Sequence, residues 1–282
     1  MPTLTLLHTN DLHGQFDQMT RLGTLVQRQR ALAAAEGRAV LLLDAGDSTD
    51  EAAWECRVTK GRANFAMLEA MGCDAAVLGN TETQWDAAAL EKLAASVHFP
   101  VLAANLFAAH SNQPPAPGVR AYAMLTVAGV QVAVAGVTVD NPGLLRRAGY
   151  RSEARAVALG GLVPHLRAEG AQVVIVLSHM GLELDKGAAA AAPGIDVIVG
   201  GHSHTALHRP HREGGTVIVQ AGHGGNYLGR IDLAVNVAAL PPVVAHAELI
   251  ACDAAVPPDP TLSGMLELVR FEAEGVRKKG DG

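Results

Sequence analysis

Short runs of Val, Ile and Leu recur along the chain, each closed by Gly, Asp, Asn, Ser or His. Thr3–His8, Val40–Asp44, Ala75–Gly79, Val130–Val139, Val173–Ser178, Asp196–Gly200, Val217–Ala221 and Leu228–Val235 read as buried strands. Between several of them, Gln18–Glu36, Arg62–Met71, Asp86–Ser96 and Ala154–Glu169 carry helical patterning. Strands alternating with helices predict an α/β architecture. A Pro-rich patch at Gln113–Pro117 predicts a loop tip, and Val256–Pro260 a break. Beyond the break Leu262, Met265, Leu266 and Val269 fall at helical spacing, which predicts a terminal amphipathic helix docked on the body. The basic tail Arg277–Lys279 is expected to be a solvated end.

Composition narrows the function classes. With 282 residues, 49% hydrophobic and 18% charged, the chain can bury a sizeable core and form one large domain or one domain with a tail. A net charge of −6 with no Lys/Arg-rich run argues against nucleic-acid polymers. Small anionic substrates stay open, because bound divalent cations reverse the local field of a carboxylate site. Cys56, Cys73 and Cys252 have neither the number nor the spacing of a disulfide framework or thiolate site, and are expected to be reduced thiols. The first residues lack a basic region, a long apolar region and a cleavage site, and no window reaches membrane-spanning length. A cytoplasmic protein with no membrane partner is the expectation.

The chemistry lies where polar residues meet strand ends. The runs end in His8-Thr9-Asn10-Asp11-Leu12-His13-Gly14, Asp44-Ala45-Gly46-Asp47-Ser48, Gly79-Asn80-Thr81-Glu82, Ser178-His179-Met180-Gly181 and Gly200-Gly201-His202-Ser203-His204-Thr205. Ligands of open α/β sheets bind beyond the carboxyl ends of strands, so clusters scattered along the sequence can converge. Singly, each cluster reads as easily as a polar turn. His202-Ser203-His204 is more specific, since imidazoles one residue apart share a side or splay around a common centre. Two divalent ions roughly 3.5–4 Å apart can clamp a phosphoryl group and generate hydroxide at neutral pH. Carboxylate, imidazole and amide donors without thiolate suit Mn, Fe, Co or Zn better than Ca or Cu(I).

In this order the five segments resemble the calcineurin-like metallophosphoesterase superfamily, and His8–Gly14 resembles its 5′-nucleotidase branch. The likeness runs from about Leu4 to Leu233 and includes Gln220-Ala221-Gly222 and Leu228-Gly229-Arg230. It implies a four-layer α/β/β/α sandwich of two facing sheets, with residues 1–252 as the catalytic domain and 253–282 as a linker and helix packed on it. It further implies that Asp11, His13 and His204 hold one metal ion, that Asn80, His179 and His202 hold the other, and that Asp47 bridges them. The implied reaction is hydrolysis of phosphomonoesters, with 5′-nucleotides among the candidates, by attack of a metal-bridging hydroxide. The expected cofactors are two divalent ions, first of all Mn²⁺, and the expected partner is a small phosphorylated substrate. Long members of the branch carry a second domain with base-clamping aromatics; aromatics are 4% of this chain, and no such pair is evident.

One position departs from the family. Its third motif reads Gly-Asn-His-Glu, with a His that protonates the leaving group or stabilises phosphoryl oxygens; here the residue is Thr81. A hydroxyl donates hydrogen bonds but is no general acid near neutral pH. Three readings compete: another residue, with His223 as the candidate, supplies the proton; the leaving group needs little protonation; or the protein is a weak enzyme or a phosphate-ligand binding module. A hydrolase of sulfur esters such as thiosulfate conjugates is a further alternative. His8 is expected to pack beneath the site, and Asn105 has no ligand role. His98, His110, His165, His208, His211 and His246 lack convergent partners. Trp54 and Trp85 are expected in core or helix contacts rather than at a pocket mouth.

Overall fold

In a computed structural model, residues 3–236 and 239–280 are described, and the side chains of residues 3, 236, 239–241 and 276–280, Arg277, Lys278 and Lys279 among them, lie outside that description. In chain order the elements are β1 (Thr3–Thr9), α1 (Phe16–Ala35), β2 (Ala39–Asp44), α2 (Trp54–Thr59), α3 (Arg62–Ala70), β3 (Ala75–Val77), α4 (Ala87–Ala94) and β4 (Val101–Leu102). Next come β5 (Leu106–Ala108), β6 (Val119–Arg120), β7 (Tyr122–Val127), β8 (Val130–Thr138), α5 (Pro142–Ala148), β9 (Tyr150–Ser152), α6 (Arg155–Ala168), β10 (Val173–His179) and α7 (Leu182–Ala191). The series closes with β11 (Val197–Gly200), β12 (His211–Glu213), β13 (Thr216–Val219), β14 (Tyr227–Asn236), β15 (Ala239–Ala251) and α8 (Pro260–Gly280).

A seven-stranded sheet has the order β15-β14-β1-β2-β3-β4-β6, and a six-stranded sheet the order β12-β13-β11-β10-β8-β7. Strands β1 to β4 and the edge strand β6 run parallel, as do β8, β10, β11 and β13, while β14, β15, β12 and β7 join by antiparallel pairing. The period of two along a strand explains the layering. Leu4, Leu6, Leu41 and Leu43 meet Val132, Val134, Ile175 and Leu177 in one apolar layer between the sheets. Leu7 and Leu42 point the other way, onto Met19 and Leu22 of α1. Val174, Val176 and Ile198 turn outward onto Leu159 and Val163 of α6 and Ala188 of α7. The result is the expected α/β/β/α sandwich.

The sheets approach closely at Gly136, where a Cβ would stand 2.5 Å from Cβ of Leu102. No larger residue fits there without separating strands of the two sheets. Helix α8 lays Leu262, Leu266 and Val269 into the same apolar layer as α1. Its lead-in is held by Asp259 N donating to Thr20 O at 2.9 Å and Thr24 Oγ1 donating to Pro257 O at 2.7 Å.

The apolar runs match strands to within a residue or two, but several elements have no such signature. Strand β7 pairs with β8 in a hairpin although only Ala123 in it is buried and it lies at an edge. Strand β15 contains Pro242, which hides it in sequence and is tolerated because this too is an edge strand. The Ala run at 188–192 belongs largely to α7.

Candidate metal centre

Strands β1 and β2 are parallel neighbours in register, Thr9 opposite Asp44, so the loops that leave them run side by side. Asp11 N donates to Gly46 O at 2.8 Å, His13 N to Asp47 O at 2.9 Å and Gly14 N to Ser48 O at 2.9 Å. This zipper holds backbones in an unfavourable region. Asp11, His13, Asp47, His202 and His204 all have φ between 47° and 71°, the left-handed region that non-Gly residues avoid. Such positions cost on the order of 1–3 kcal/mol each and persist where surrounding bonds over-determine them, so their concentration here marks a functional site.

The seven residues singled out at the strand ends converge. One corner holds Asp11, His13 and His204: His204 Nε2 lies 3.3 Å and His13 Nε2 3.7 Å from Asp11 Oδ1, and the two imidazole nitrogens are 3.0 Å apart. The other holds Asp47, His179 and His202, with His179 Nε2 3.2 Å from Asp47 Oδ1. Asn80 Oδ1 joins that corner at 2.8 Å from His202 Nδ1 and 3.3 Å from His179 Nε2. Asp47 reaches both, since its Oδ2 is 4.0 Å from His13 Nε2. His202 and His204 splay, one imidazole to each corner.

Around these side chains lies a layer of buried hydrogen bonds. The carboxylate of Glu82 accepts from Asp47 N at 3.1 Å, Gly79 N at 2.7 Å, Thr49 N at 3.0 Å and Thr49 Oγ1 at 2.8 Å, which fixes two ligand-bearing loops together. Asn10 donates to Asp11 Oδ2 at 2.7 Å and to Gly222 O at 2.6 Å, and accepts from Ala221 N at 2.8 Å. His179 Nδ1 donates to Ala45 O at 2.7 Å, which leaves Nε2 free to accept or ligate. At Gly79 a Cβ would stand 2.1 Å from Asp47 Oδ1, so only glycine lets the third loop come this close. Glu82 and Asn10 stand inside the motifs read from sequence, but their roles depend on partners that sequence spacing does not reveal.

The electrostatics fit a cationic occupant. Burial lowers the pKa of His179, yet the hydrogen bond and charge of Asp47 overcome it and push it up to about 9. Asp11, through its hydrogen bond, also raises His13 against the effect of burial. Burial would raise Asp47, but His179 draws it down to about 2. His179 and His13 thus favour their protonated forms beside the two carboxylates. His202 goes the other way, lowered by burial and then by His179. The donor set of carboxylate, imidazole and amide oxygen suits borderline divalent ions.

Thr81 points its hydroxyl at Asp47. Its N and Oγ1 reach Asp47 Oδ1 at 2.9 and 3.1 Å, and Oγ1 accepts from Thr49 Oγ1 at 2.9 Å. His223 is exposed and stacks on His204, centroids 4.8 Å apart and planes 17° from parallel, so it neighbours the corner opposite Thr81. His8 is buried against Gly229, with its pKa lowered to about 4 by burial. Trp85 is also buried, its Nε1 donating to Glu51 Oε1 at 3.1 Å. Asn105 brackets the end of β8, donating to Thr138 O and accepting from Thr138 N, both at 2.8 Å. A cavity of about 580 Å³ opens beside the second corner, lined by Asn80, His202, Asn105, Thr138, Arg155 and Met180 among others. Among the described residues no helix is long and apolar enough to cross a membrane.

The chain is 29% identical to the uncharacterised metallophosphoesterase YunD of Bacillus subtilis, over 83% of this chain and 50% of that protein. It is 32% identical to a 5′-nucleotidase of Bos taurus, over 96% of this chain and 53% of that one. The chain thus spans about half the length of these curated relatives. The crystal structure of a 5′-nucleotidase precursor from Thermus thermophilus superposes with a TM-score of 0.80 at 23% identity, covering 97% of this chain and 59% of that one, and so shares the fold. Residues 4–206 match the calcineurin-like phosphoesterase family, to which this chain belongs.

Proposed function

We propose that the chain hydrolyses phosphomonoesters at a centre of two divalent ions, Asp11, His13 and His204 holding one, Asn80, His179 and His202 the other, with Asp47 shared. The observation that carries this reading is the meeting of seven donor side chains from five strand ends in two adjacent groups, with Asp47 in reach of both. When bound, such ions clamp phosphoryl oxygens and lower the pKa of water. The protein's own share is positioning and charge: Asp47 and Asp11 fix the cation pair, and Asn80, its amide oxygen turned to the imidazoles, offers its NH₂ group to a phosphoryl oxygen at the cavity wall. His223, exposed beside His204, is the candidate proton donor. Relatives named 5′-nucleotidase support nucleoside monophosphates as one substrate class.

The test is reconstitution. Metal-free protein is expected to be inactive on an aryl phosphate and to regain turnover with Mn²⁺, while Asp47→Asn loses at least about 10²–10³-fold in kcat/KM, the scale of removing a key electrostatic stabiliser. Undiminished turnover in chelator would refute the assignment. A second reading, a metal-dependent phosphate-ligand binding protein, draws support from Thr81, whose hydroxyl is committed to Asp47 and Thr49. Mn²⁺-dependent phosphate binding without turnover across a panel of esters would favour it.

A further inference from the structure

The cavity beside Asn80 and His202 has a chemical character of its own. Its floor adjoins the proposed centre directly, because Thr138 pairs with the ligand residue His179 in the register of β8 and β10. Thr138 is fully buried, and its side-chain hydroxyl has no hydrogen-bond partner among the described residues. A buried hydroxyl without a partner, on a residue that lines the cavity, is free to pair with a polar atom bound there. Apolar wall is supplied by Val139, Leu144, Met180 and Leu184.

Opposite charge is supplied by α6. This helix of 14 residues begins at the cavity with Ala154 as its N-cap, no side-chain cap, and no acidic residue in its first turn. Its first backbone donors and dipole thus favour an anion. Arg155, the first helical residue, lines the same cavity, and its guanidinium lies over α7, 3.6 Å from where a Cβ on Gly187 would stand. It forms neither ion pair nor side-chain hydrogen bond with the described residues. Asp140 also lines the cavity but is exposed at its edge and accepts from Ser152 Oγ, while Arg155 acts through space on the buried carboxyl of Asp185 in α7 without forming an ion pair with it.

We propose that this cavity binds the leaving group of the substrate and selects phosphomonoesters whose leaving group is a short carbon chain ending in a second anionic group, a carboxylate or a phosphate. Arg155 and the open start of α6 hold that anion, Thr138 donates to a polar atom on the chain, and Met180 and Leu184 cover its methylenes. This assignment rests on the phosphoesterase reading, since the first phosphoryl group occupies the proposed metal centre.

Inert phosphonates separate the two ideas. Binding of alkylphosphonates to the Mn²⁺-loaded chain is compared by calorimetry with ω-phosphonocarboxylates carrying two to five methylenes, and with bisphosphonates of the same lengths. The best ω-anionic ligand is expected to bind about 10–100-fold tighter than its alkyl counterpart, the scale of hydrogen bonding to a charged group. The better of the carboxylate and phosphonate series identifies the natural terminal group. Arg155→Gln is expected to shrink the gap below about threefold, and Arg155→Lys to keep part of it, with alkylphosphonate binding as the control for folding. Mn²⁺-dependent binding of all series with equal affinity, or a gap that persists in Arg155→Gln, overturns the anionic subsite and leaves the phosphoesterase reading intact. No Mn²⁺-dependent phosphonate binding at all overturns that reading instead.

Discussion

The two corners of the candidate centre are built differently. His179 is fully buried, its Nδ1 fixed by a carbonyl and its neighbour Asp47 held by Thr81 N and the Glu82 network. His204 is 43% exposed, and its closest ring contacts are other imidazoles, His13 and His223. The first corner has two buried donors, Asp47 and His179, beside exposed His202; the other has one, Asp11, beside half-buried His13 and exposed His204, so less of it is fixed by the fold. Preorganisation costs less on binding than ordering at the moment of binding. The buried corner should therefore take up its ion first and more tightly, and the surface corner second.

Paired substitutions expose that asymmetry most strongly. His179→Ala removes the partner of a buried carboxylate, and breaking a buried pair costs about 3–5 kcal/mol. His204→Ala touches an exposed ring and should change stability by less than about 0.5 kcal/mol. Urea unfolding of the two metal-free variants reads these numbers, and metal analysis should find each variant short of one ion. Equal stability loss in both would show that the corners do not differ in the way their burial implies.

The supporting layer gives a smaller effect. Glu82→Gln keeps the shape but puts an NH₂ group where carboxylate oxygens accept from Asp47 N, Gly79 N and Thr49. Loss of a group that orients a ligand costs typically 10–100-fold in metal affinity. In a Mn²⁺ titration the first, tighter binding event should weaken by about that factor while the second changes little. A uniform weakening of both would mean that Glu82 supports the whole centre rather than the buried corner.

Much of this was legible in the sequence because ligand residues interrupt apolar runs. Asp47, Asn80, His179 and the His202/His204 pair each follow a strand whose burial makes a polar neighbour conspicuous. The supporting residues were not legible for the opposite reason: the bonds of Asn10 join positions more than two hundred residues apart, and nothing local to Asn10 records them. The cavity was also hidden. Its walls come from α5, α6, α7 and the loop after β8, and Arg155 acquires meaning only because the helix it begins is uncapped beside Thr138. Short strands such as β5 and β9 pair only with each other, so they carry no run long enough to show periodicity.

Thr81 offers the finest test of how the buried corner works. Its hydroxyl is used downward, toward Asp47, Glu82 and Thr49, while its backbone N separately binds Asp47 Oδ1. Thr81→His keeps the backbone bond but brings a ring too large to repeat the hydroxyl's contacts, so the imidazole must turn outward to the substrate side. There it can protonate a leaving group, help that amounts to about 10²–10⁴ in rate when fully realised. With an unoptimised ring position, a gain of about tenfold in kcat on an alkyl phosphate is expected, against less than about threefold on an aryl phosphate, whose leaving group needs little protonation. The ratio of the two gains is the informative quantity. A rise shared equally by both esters would place the effect of residue 81 on the geometry of Asp47 rather than on proton transfer, and would move the origin of any slow turnover from missing acid chemistry to the ligand shell itself.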